Sequence, residues 1–371
     1  MVQIAILHYV LTPRPCKLKS SVTKLLLAGN LAVILLLTFS YAALFVAPDK
    51  FWVLALAGLA YPWIVSINLL FAMVWLLVKP RWSLISIFLI LAGWPVLARF
   101  IQTDGQKTDI SGIKVLSYNV KYFTGEKDTP PRETANRIIS FLEESSPDII
   151  CLQEVTLRTN QIFNLEAVRN QLPGIQHYQY ARTDRTTGSV TFSRYPIVNM
   201  EEIRFENSGN IAICTDVKIS GDTVRVFNVH LQSYRLKPEN YRLLESPVIT
   251  SEKDLREAKE LGSRYRWAVR KRAEQSRLLR SHIESSPYPV IVCGDFNDTP
   301  SSYAYQTTKG TLKDAFRESG KGIGQTFTGS LVPSFRIDYI LHSSSFSSFN
   351  FKVHPVDFSD HRPVSTLLIR N

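Results

Sequence analysis

Residues 290–298 read VIVCGDFND, an apolar run of β character that ends in a glycine, two carboxylates and an amide. A short, uninterrupted apolar run predicts a buried strand. The polar residues after it would lie where the strand leaves its sheet. One such ending means little by itself, because an Asp after a strand is usually a turn residue or a helix cap.

Five further apolar runs end in residues that can bind a metal ion or a phosphate. In chain order they are LSYNV with Asn119, IICLQE with Glu154, VFNVHLQ with Asn228 and His230, FRIDYIL with Asp338, and DFSDHRPV with Asp360 and His361. Strand ends place side chains at one rim of a sandwich, so six such endings can converge on one pocket. Six in one chain are not explained as ordinary turns, and we predict an active site there.

The elements around these endings predict the fold class. Strands are expected at 113–118, 149–152, 190–193, 211–219, 223–229, 290–294, 337–341 and 364–369, and helices at 134–144 and 252–283. Strands outnumber helices, and several neighbours are close enough for hairpins. We therefore expect an α/β fold over 113–371, a two-sheet β-sandwich flanked by helices in four α/β/β/α layers, rather than a doubly wound parallel sheet. The polar residues 102–112 are interpreted as a linker.

The first hundred residues differ in composition from the rest and predict a membrane domain over 1–101. Residues 25–47 and 51–78 contain no charged residue, and Lys50 lies between the two segments. Each segment is long enough to span a bilayer, which takes about 20 apolar residues. A third segment at 83–100 is marginal in length. A cleaved signal peptide is disfavoured because a second long apolar stretch follows at once. A buried helical hairpin of a soluble protein is the alternative.

The basic residues predict the orientation of these three transmembrane helices. The formal net charge is +11. Basic residues before the first segment (Arg14, Lys17, Lys19, Lys24) and between the second and third (Lys79, Arg81) place both of these stretches in the cytoplasm. Three spans then place the catalytic domain on the extracytoplasmic side of a bacterial-type inner membrane, in the periplasm; two spans would leave it cytoplasmic. Since the basic excess flanks the hydrophobic segments, it is not evidence of nucleic-acid binding.

Taken together, GDFN at 294–297, SDHRPV at 359–364 and the other endings resemble the endonuclease/exonuclease/phosphatase superfamily. That superfamily includes pancreatic-type deoxyribonuclease, abasic-site endonucleases, neutral sphingomyelinases and inositol polyphosphate 5-phosphatases. The resemblance covers residues 113–371. It implies a metal-dependent hydrolase that directs water in line at a phosphoester.

The resemblance also implies a role for each site residue. Asn119, Glu154 and Asp360 correspond to the metal-binding positions, for Mg²⁺ or alternatively Mn²⁺. Mg²⁺ prefers one or two carboxylates together with waters and substrate oxygens, which suits this set. The catalytic positions correspond to His230, Asp295, Asn297, Asp338 and His361. Asp295 and Asn297 would activate and orient water, Asp338 would orient His361, and His230 would contact the phosphate or protonate the leaving group.

We therefore expect a membrane-anchored, Mg²⁺-dependent phosphodiesterase or endonuclease. Its partners would be a phosphoester substrate, either nucleic acid or a phospholipid headgroup, and the lipid bilayer; no protein partner is indicated. A sphingomyelinase-like headgroup hydrolase and a catalytically silent binding protein remain alternatives. The basic run at 264–272 would either form a solvated helix face or bind an anionic substrate or the membrane surface.

Overall fold

The computed structural model describes residues 20–125, 129–157, 163–183, 187–235, 248–329 and 335–371. Its N-terminal part is helical. The helices are α1 (Ser20–Ala42), α2 (Pro48–Phe51), α3 (Val53–Leu59), α4 (Tyr61–Val78), α5 (Pro80–Ala92) and α6 (Trp94–Leu97). Of these, α1 and α4 are long and apolar enough to cross a membrane.

The helix bounds differ from the sequence-based expectation in two places. The expected helix 51–78 is divided at Trp52 and again at Ala60, before Pro62 in the first turn of α4. The expected helix 83–100 is α5, which ends at Gly93, followed by the single turn of α6. At 13 residues, α5 alone covers about 20 Å. Apolar composition marks these stretches but does not report where the backbone turns.

Buried polar side chains join three of these helices. The indole of Trp75 in α4 donates to the side-chain oxygen of Asn30 in α1 over 3.0 Å. Asn30 in turn donates to the hydroxyl of Ser86 in α5 over 2.9 Å. Because an unpaired polar group in apolar surroundings costs free energy, this chain of hydrogen bonds fixes how the three helices pack.

Residues 113–370 form two six-stranded sheets. The strands are β1 (Ile113–Asn119), β2 (Ile149–Thr156), β3 (His177–Arg182), β4 (Thr187–Ser193), β5 (Ile197–Arg204), β6 (Ile211–Ile219), β7 (Asp222–His230), β8 (Val290–Asp295), β9 (Lys313–Asp314), β10 (Asp338–His342), β11 (Phe346–Val353) and β12 (Val364–Arg370). Their orders are β11-β12-β1-β2-β4-β3 and β5-β6-β7-β8-β10-β9. Both sheets are mixed, because β1–β2 and β7–β8 are parallel pairs in otherwise antiparallel surroundings.

Helices cover the outer faces of both sheets. They are α7 (Pro131–Ser145), α8 (Leu165–Gln171), α9 (Glu252–Glu284), α10 (Tyr303–Lys309) and α11 (Ala315–Ser319). Apolar residues of α7 and α8 join the core outside the first sheet, and those of α9 and α10 join the core outside the second. A third core lies between the sheets, with Val115 and Cys151 facing Val226, Cys293 and Ile340. The expected four-layer sandwich is confirmed.

Asn228 joins the two sheets from the inside. Its amide donates to the backbone oxygens of Leu152 and Val190 over 3.1 and 2.8 Å, and its oxygen accepts from the side chain of Gln153 over 2.8 Å. Asn228 is fully buried. These contacts give Asn228 a structural role between the sheets.

Candidate active site

The polar strand ends meet at one edge of the sandwich. Parallel strands β1 and β2 bring Asn119 and Glu154 to this edge. In the second sheet, the register pairs Asp295 of β8 with His230 of β7 and with Asp338 of β10. Because β7 and β8 are parallel they end together, whereas antiparallel β10 begins at the same edge.

The carboxylate of Asp295 is the centre of a hydrogen-bond network. Asn119 donates to it from the other sheet over 3.0 Å. Asn297 donates through its backbone N–H over 2.7 Å and its side-chain amide over 3.0 Å. The Nε2 atoms of His361 and His230 lie 3.7 and 3.8 Å from the same carboxylate. Burial raises the pKa of Asp295 to about 6, against the lowering effect of His361. A carboxylate with this proton affinity suits a general base near neutral pH.

His361 is held by Asp338. The ring Nδ1 lies 2.9 and 3.2 Å from the two carboxylate oxygens of Asp338, and the ring of Phe327 packs edge-on at 5.2 Å. Burial by itself lowers the pKa of His361, but the charges of Asp338 and Asp295 outweigh it and raise the pKa to about 10. The imidazole is therefore charged in this arrangement and suits contact with an anionic phosphoryl group better than proton abstraction.

Glu154 lies in an irregularity of β2, where the register against β4 shifts between Leu152 and Val155. Bulges of this kind re-aim side chains and are common beside active sites. Burial raises the pKa of Glu154, whereas the charge of His361 and hydrogen bonds from Asn119 and Tyr122 lower it. Within the described ranges, no Lys or Arg forms an ion pair with Glu154. A half-enclosed carboxylate without a cationic side chain is a position where a metal ion would fit.

Asp360 is tied to the loop that follows β1. Its carboxylate lies 2.8 Å from the ammonium of Lys121. The backbone N–H of Lys121 donates to the side-chain oxygen of Asn119 over 3.0 Å, and the hydroxyl of Ser359 donates to the Asn119 backbone oxygen over 2.8 Å. The loops before β12 and after β1 are therefore one connected unit at the rim.

His230 points its free ring nitrogen into the site. Its Nε2 atom lies 3.4 Å from Glu154, yet makes no hydrogen bond within the part of the chain that the structure describes. Burial lowers the pKa of His230, against the raising effect of Asp295, so the ring is neutral. A neutral imidazole beside two carboxylates can accept or donate one proton to a bound group.

Two different groups of side chains could hold a cation. Asp295, Asp338 and His361 place ligand-type atoms within 4.8 Å of one another. Nδ1 of His361 is hydrogen-bonded to Asp338, which leaves its Nε2 atom for a cation. Glu154, Asn119 and Asp360 offer two carboxylates and an amide oxygen, the hard donors that Mg²⁺ prefers. Asp360 and the Asn119 oxygen are both engaged by Lys121, so a cation would have to displace these contacts.

Strained backbone marks the site. Of the ten non-glycine residues with positive φ in the described chain, five lie here: Lys121, Tyr122, Phe123, Glu154 and Asn297. Such conformations persist where the surrounding structure over-determines them, and they cluster at functional sites. Lys121 and Tyr122 were not among the residues expected from the sequence. No motif marks them, because their importance comes from the backbone turn after Asn119.

A sandwich with buried carboxylates, amides and a charged histidine at one end defines a class of phosphoester hydrolases. The family model described as "Endonuclease/Exonuclease/phosphatase family" matches residues 116–361, and the chain belongs to this family. Its members hydrolyse phosphoester bonds and generally use a divalent metal. A second family model, described only as a domain of unknown function (DUF8431), matches residues 23–100.

Solved structures share the fold. A family protein from Beutenbergia cavernae is 20% identical over 71% of this chain and 72% of its own, with a TM-score of 0.52. Proteins of the same family from Bacteroides thetaiotaomicron (20% identity, 70% and 98% coverage, TM-score 0.50) and Bacteroides vulgatus (19% identity, 71% and 100% coverage, TM-score 0.50) are also similar. At these identities the likeness shows the fold alone. No curated protein sequence matches the chain.

Proposed function

We propose that this protein is a membrane-anchored, Mg²⁺-dependent phosphodiesterase. The observation that carries the proposal is the convergence of Glu154, Asn119, Asp295 and His361 from both sheets at one edge of the sandwich. Under this proposal the chain has a membrane domain at 1–101, a linker at 102–112 and a catalytic domain at 113–371.

Glu154 and Asn119 would hold the cation, with Asp360 beside them. A bound Mg²⁺ would polarise the phosphoryl oxygens and offset the charge that develops during attack. Glu154 is already fixed in position by its hydrogen bonds and by the bulge in β2, so its carboxylate is pre-oriented. Asp360 would exchange its ion pair with Lys121 for the cation.

The remaining polar residues would handle the attacking water and the phosphate. Asp295 would accept a proton from the water, and Asn297 would orient it. His361, kept charged by Asp338, would bind a non-bridging phosphoryl oxygen. Neutral His230 would contact the phosphate or donate a proton to the leaving group. Catalysis would then depend mainly on positioning and on pre-arranged charge.

Side-chain exposure of the N-terminal helices supports the membrane anchor. Only 17% of the apolar window of α1 and 33% of that of α4 is buried. Core helices of soluble proteins are mostly buried, whereas Leu25, Leu35 and Leu70 are exposed here. Lipid is the environment in which such apolar faces are stable.

The contacts between helix ends and the sandwich support one side of the membrane for the catalytic domain. Gly58, in the segment between α1 and α4, and Arg99, after α6, both contact residues 300–306. With α1 and α4 spanning the bilayer, the sandwich would lie on the side opposite to the start of α1 and to the basic turn at Lys79. Together with the positive-inside rule, this supports three spans and an extracytoplasmic catalytic domain.

A catalytically silent binding protein is the competing possibility. A protein that had lost catalysis would have no need to keep the charged His361–Asp338 pair or the buried carboxylate of Glu154. Such groups cost folding free energy and are retained at functional sites. This observation favours the enzyme.

The test is hydrolysis of bis-p-nitrophenyl phosphate by the full chain in detergent, with Mg²⁺ or with EDTA. We expect turnover with Mg²⁺, loss with EDTA, and a fall of at least about 100-fold for Glu154→Gln. Glu144→Gln, an exposed glutamate at the end of α7, is the matched control and should keep wild-type activity. Turnover that persists in EDTA, or an unaffected Glu154→Gln variant, would refute the proposal.

A further inference from the structure

The helical part and the sandwich are held together by buried polar contacts. The guanidinium of Arg99 donates to the backbone oxygen of Pro300 over 3.0 Å and to the side chain of Gln306 over 2.7 Å. The hydroxyl of Ser301 donates to the backbone oxygen of Gly58 over 2.7 Å. Arg99 is 8% exposed, so its contacts are largely shielded from water. Separation of the helical part from the sandwich would leave the buried charge of Arg99 without these partners, and this disfavours separation.

Further contacts fix their relative orientation. Buried Arg336 of the sandwich donates to the backbone oxygen of Arg99 over 2.8 Å. Arg277 of α9 forms an ion pair with Asp49 of α2 at 3.0 Å. A Cβ at position 58 would lie only 3.0 Å from the backbone oxygen of Ser301. Because Gly58 has no Cβ, the two backbone segments can approach each other closely. Several contacts around one face define an orientation that one contact could not.

The loops that make these contacts also carry the catalytic groups. Pro300 and Ser301 follow Asn297 by three and four residues. On the other side of the site, Trp63 packs on Phe335 with ring centroids 5.7 Å apart. Phe335 accepts a backbone hydrogen bond from Phe327 over 2.9 Å, and the Phe327 ring contacts His361. The active site is therefore two aromatic contacts away from α4.

This path places the catalytic histidine close to a helix end. Trp63 lies in the first turn of α4, the end of an apolar helix where tryptophan marks the interface between lipid and water. The ring centroids of Trp63 and Phe335 lie 5.7 Å apart and those of Phe327 and His361 lie 5.2 Å apart, and one backbone hydrogen bond joins Phe335 to Phe327. With α4 in a bilayer, the headgroup layer would begin near Trp63, and lipid phosphates would lie near the loops of the site.

The surface around this end suits an interface with a lipid headgroup layer. Phe51, Leu56 and Trp63 expose apolar side chains there. A cleft of about 370 Å³ is lined by three cations, Lys321, Lys352 and Arg362, together with Ile323 and others, and Arg362 is the residue after His361. Gly322, between two of the lining residues in sequence, pairs with Gln102, directly after the third apolar segment. Basic side chains at a membrane surface attract anionic headgroups.

From these contacts we propose that the enzyme acts on phosphoester headgroups of lipids in the leaflet to which its catalytic domain is docked. The inference rests on the proposed phosphodiesterase function and names its substrate class. The docking contacts place helix ends against loops that adjoin the catalytic groups, so with the helices in a membrane the bilayer surface would lie next to these loops. A lipid stays anchored by its chains while its phosphoester enters. A duplex nucleic acid would have to approach along the same crowded rim.

The test uses the full chain reconstituted into vesicles of phosphatidylcholine, phosphatidylethanolamine and phosphatidylglycerol with Mg²⁺. Release of phosphate-containing headgroups is measured beside turnover of bis-p-nitrophenyl phosphate in the same sample. We expect hydrolysis of at least one of the three lipids. Phe51→Ala should lower the lipid rate about tenfold and leave the rate on the soluble diester within about twofold, because Phe51 is exposed at the same end of the helices and contacts none of the catalytic groups. Phe88→Ala, an exposed aromatic of α5, is the matched control and should change neither rate.

A second measurement reports placement without turnover. A fluorophore on Tyr122→Cys, at the mouth of the site, should be quenched by nitroxide-headgroup lipid. A fluorophore on Ser220→Cys should not, since nine-residue β7 separates that turn from His230 by about 25 Å. Both variants carry Cys16→Ser; the cysteines at 151, 214 and 293 are buried.

The outcomes separate this inference from the proposed function. Turnover of the soluble diester together with cleavage of plasmid DNA, intact lipids and equal, weak quenching at both positions would overturn the lipid inference and leave the phosphodiesterase. Strong quenching at position 122 with no turnover of any diester would instead overturn the proposed function, and the substrate assignment would fail with it. Lipid turnover with selective loss in Phe51→Ala would support both.

Discussion

At the residue scale, the site is defined by side chains that the backbone holds in uncommon conformations. Glu154 and Asn297 both have positive φ, of 55° and 52°. Each side chain consequently leaves its strand or turn at an angle that ordinary extended backbone would not give. The cost of such conformations is of order 1–3 kcal/mol each, which the surrounding hydrogen bonds must offset. The carboxylate of Asp295 accepts two such bonds, one from the backbone N–H of Asn297 and one from its side-chain amide.

Replacement of Asp338 should separate its role from that of the metal-binding residues. In Asp338→Asn the imidazole of His361 loses the partner that fixes its tautomer and its charge. We expect kcat to fall by about 10²-fold or more. The Mg²⁺ concentration for half-maximal rate should stay unchanged, whereas Glu154→Gln should raise it. A shift of the Mg²⁺ dependence in Asp338→Asn would contradict this division of roles.

Glu318 should make stability depend on pH. Burial raises its pKa, but hydrogen bonds from His342, the Ser348 N–H and Lys313 outweigh this and lower the pKa to about 2. Since the folded-state value lies below the unfolded one, the stabilisation is complete above about pH 4.5 and is lost as pH falls toward 2. Between pH 7 and 3.5, the wild type should lose about 1–2 kcal/mol more than Glu318→Gln. Equal losses, measured by thermal unfolding in detergent, would contradict the assignment.

At the scale of elements, α9 shows how a charged run can have several functions at once. The basic stretch at 264–272 was open to two interpretations, a solvated face or a binding surface. In the structure Arg264 pairs with Glu260, as a solvated face would, and Arg266 lies over Trp52 of the helical part. Arg272, by contrast, is completely buried and bonded to Asp298. The run therefore faces solvent, the N-terminal helices and the core at different turns.

Replacement of Arg272 should lower activity as well as stability, because its partner Asp298 lies in the same loop as Asn297. Its guanidinium donates to Asp298 over 2.9 Å and to the Gln232 backbone oxygen over 2.8 Å, and it stacks on Tyr234 at 4.3 Å. Arg272→Ala leaves Asp298 buried and unpaired, which typically costs about 3–5 kcal/mol of unfolding free energy. Because Asp298 follows Asn297, activity should fall with stability.

Thermal unfolding and turnover of bis-p-nitrophenyl phosphate measure both effects. Arg272→Lys keeps the charge but not the planar donor geometry, so we expect an intermediate loss. Arg256→Ala, an exposed arginine of the same helix, is the control and should stay near wild type. A stable and fully active Arg272→Ala variant would show that the loop does not depend on this pair.

At the scale of the whole molecule, the docked arrangement makes the membrane helices part of the catalytic unit. The prediction is a cross-link between Asp49→Cys and Arg277→Cys, which replace the two partners of the partly exposed ion pair between α2 and α9. In a Cys16→Ser background, a short bismaleimide should join this pair efficiently. The pair Asp49→Cys with Ser220→Cys, at the far end of the sandwich, should not cross-link. Equal cross-linking of both pairs, read by mobility after proteolysis, would mean that the sandwich moves freely on its linker.

Much of the fold was predictable because it follows from local patterns. Central strands such as β2 and β8 are short apolar runs, and their polar ends carry the site residues. The four missed strands, β3, β5, β9 and β11, are the edge strands of the two sheets. β5, at the edge, is mostly exposed and pairs only with β6, so its sequence IVNMEEIR has few buried positions to produce a pattern. Edge strands depend on a neighbour for their hydrogen bonds, and that neighbour is not visible locally.

The sequence by itself determined the class of sandwich, the residues at its catalytic edge and the apolar segments that precede it, because hydrophobic period and strand-end chemistry are local properties. Only the tertiary structure decided which charges these residues carry, since the pKa values of Asp295 and His361 depend on groups brought together from different strands. It alone decided that Lys121 and Tyr122 belong to the site, and that Gly58, Trp63 and Arg99 contact the catalytic loops. The contacts of Gly58 and Arg99 join residues more than 200 positions apart. Neither segment by itself predicts a contact of that kind.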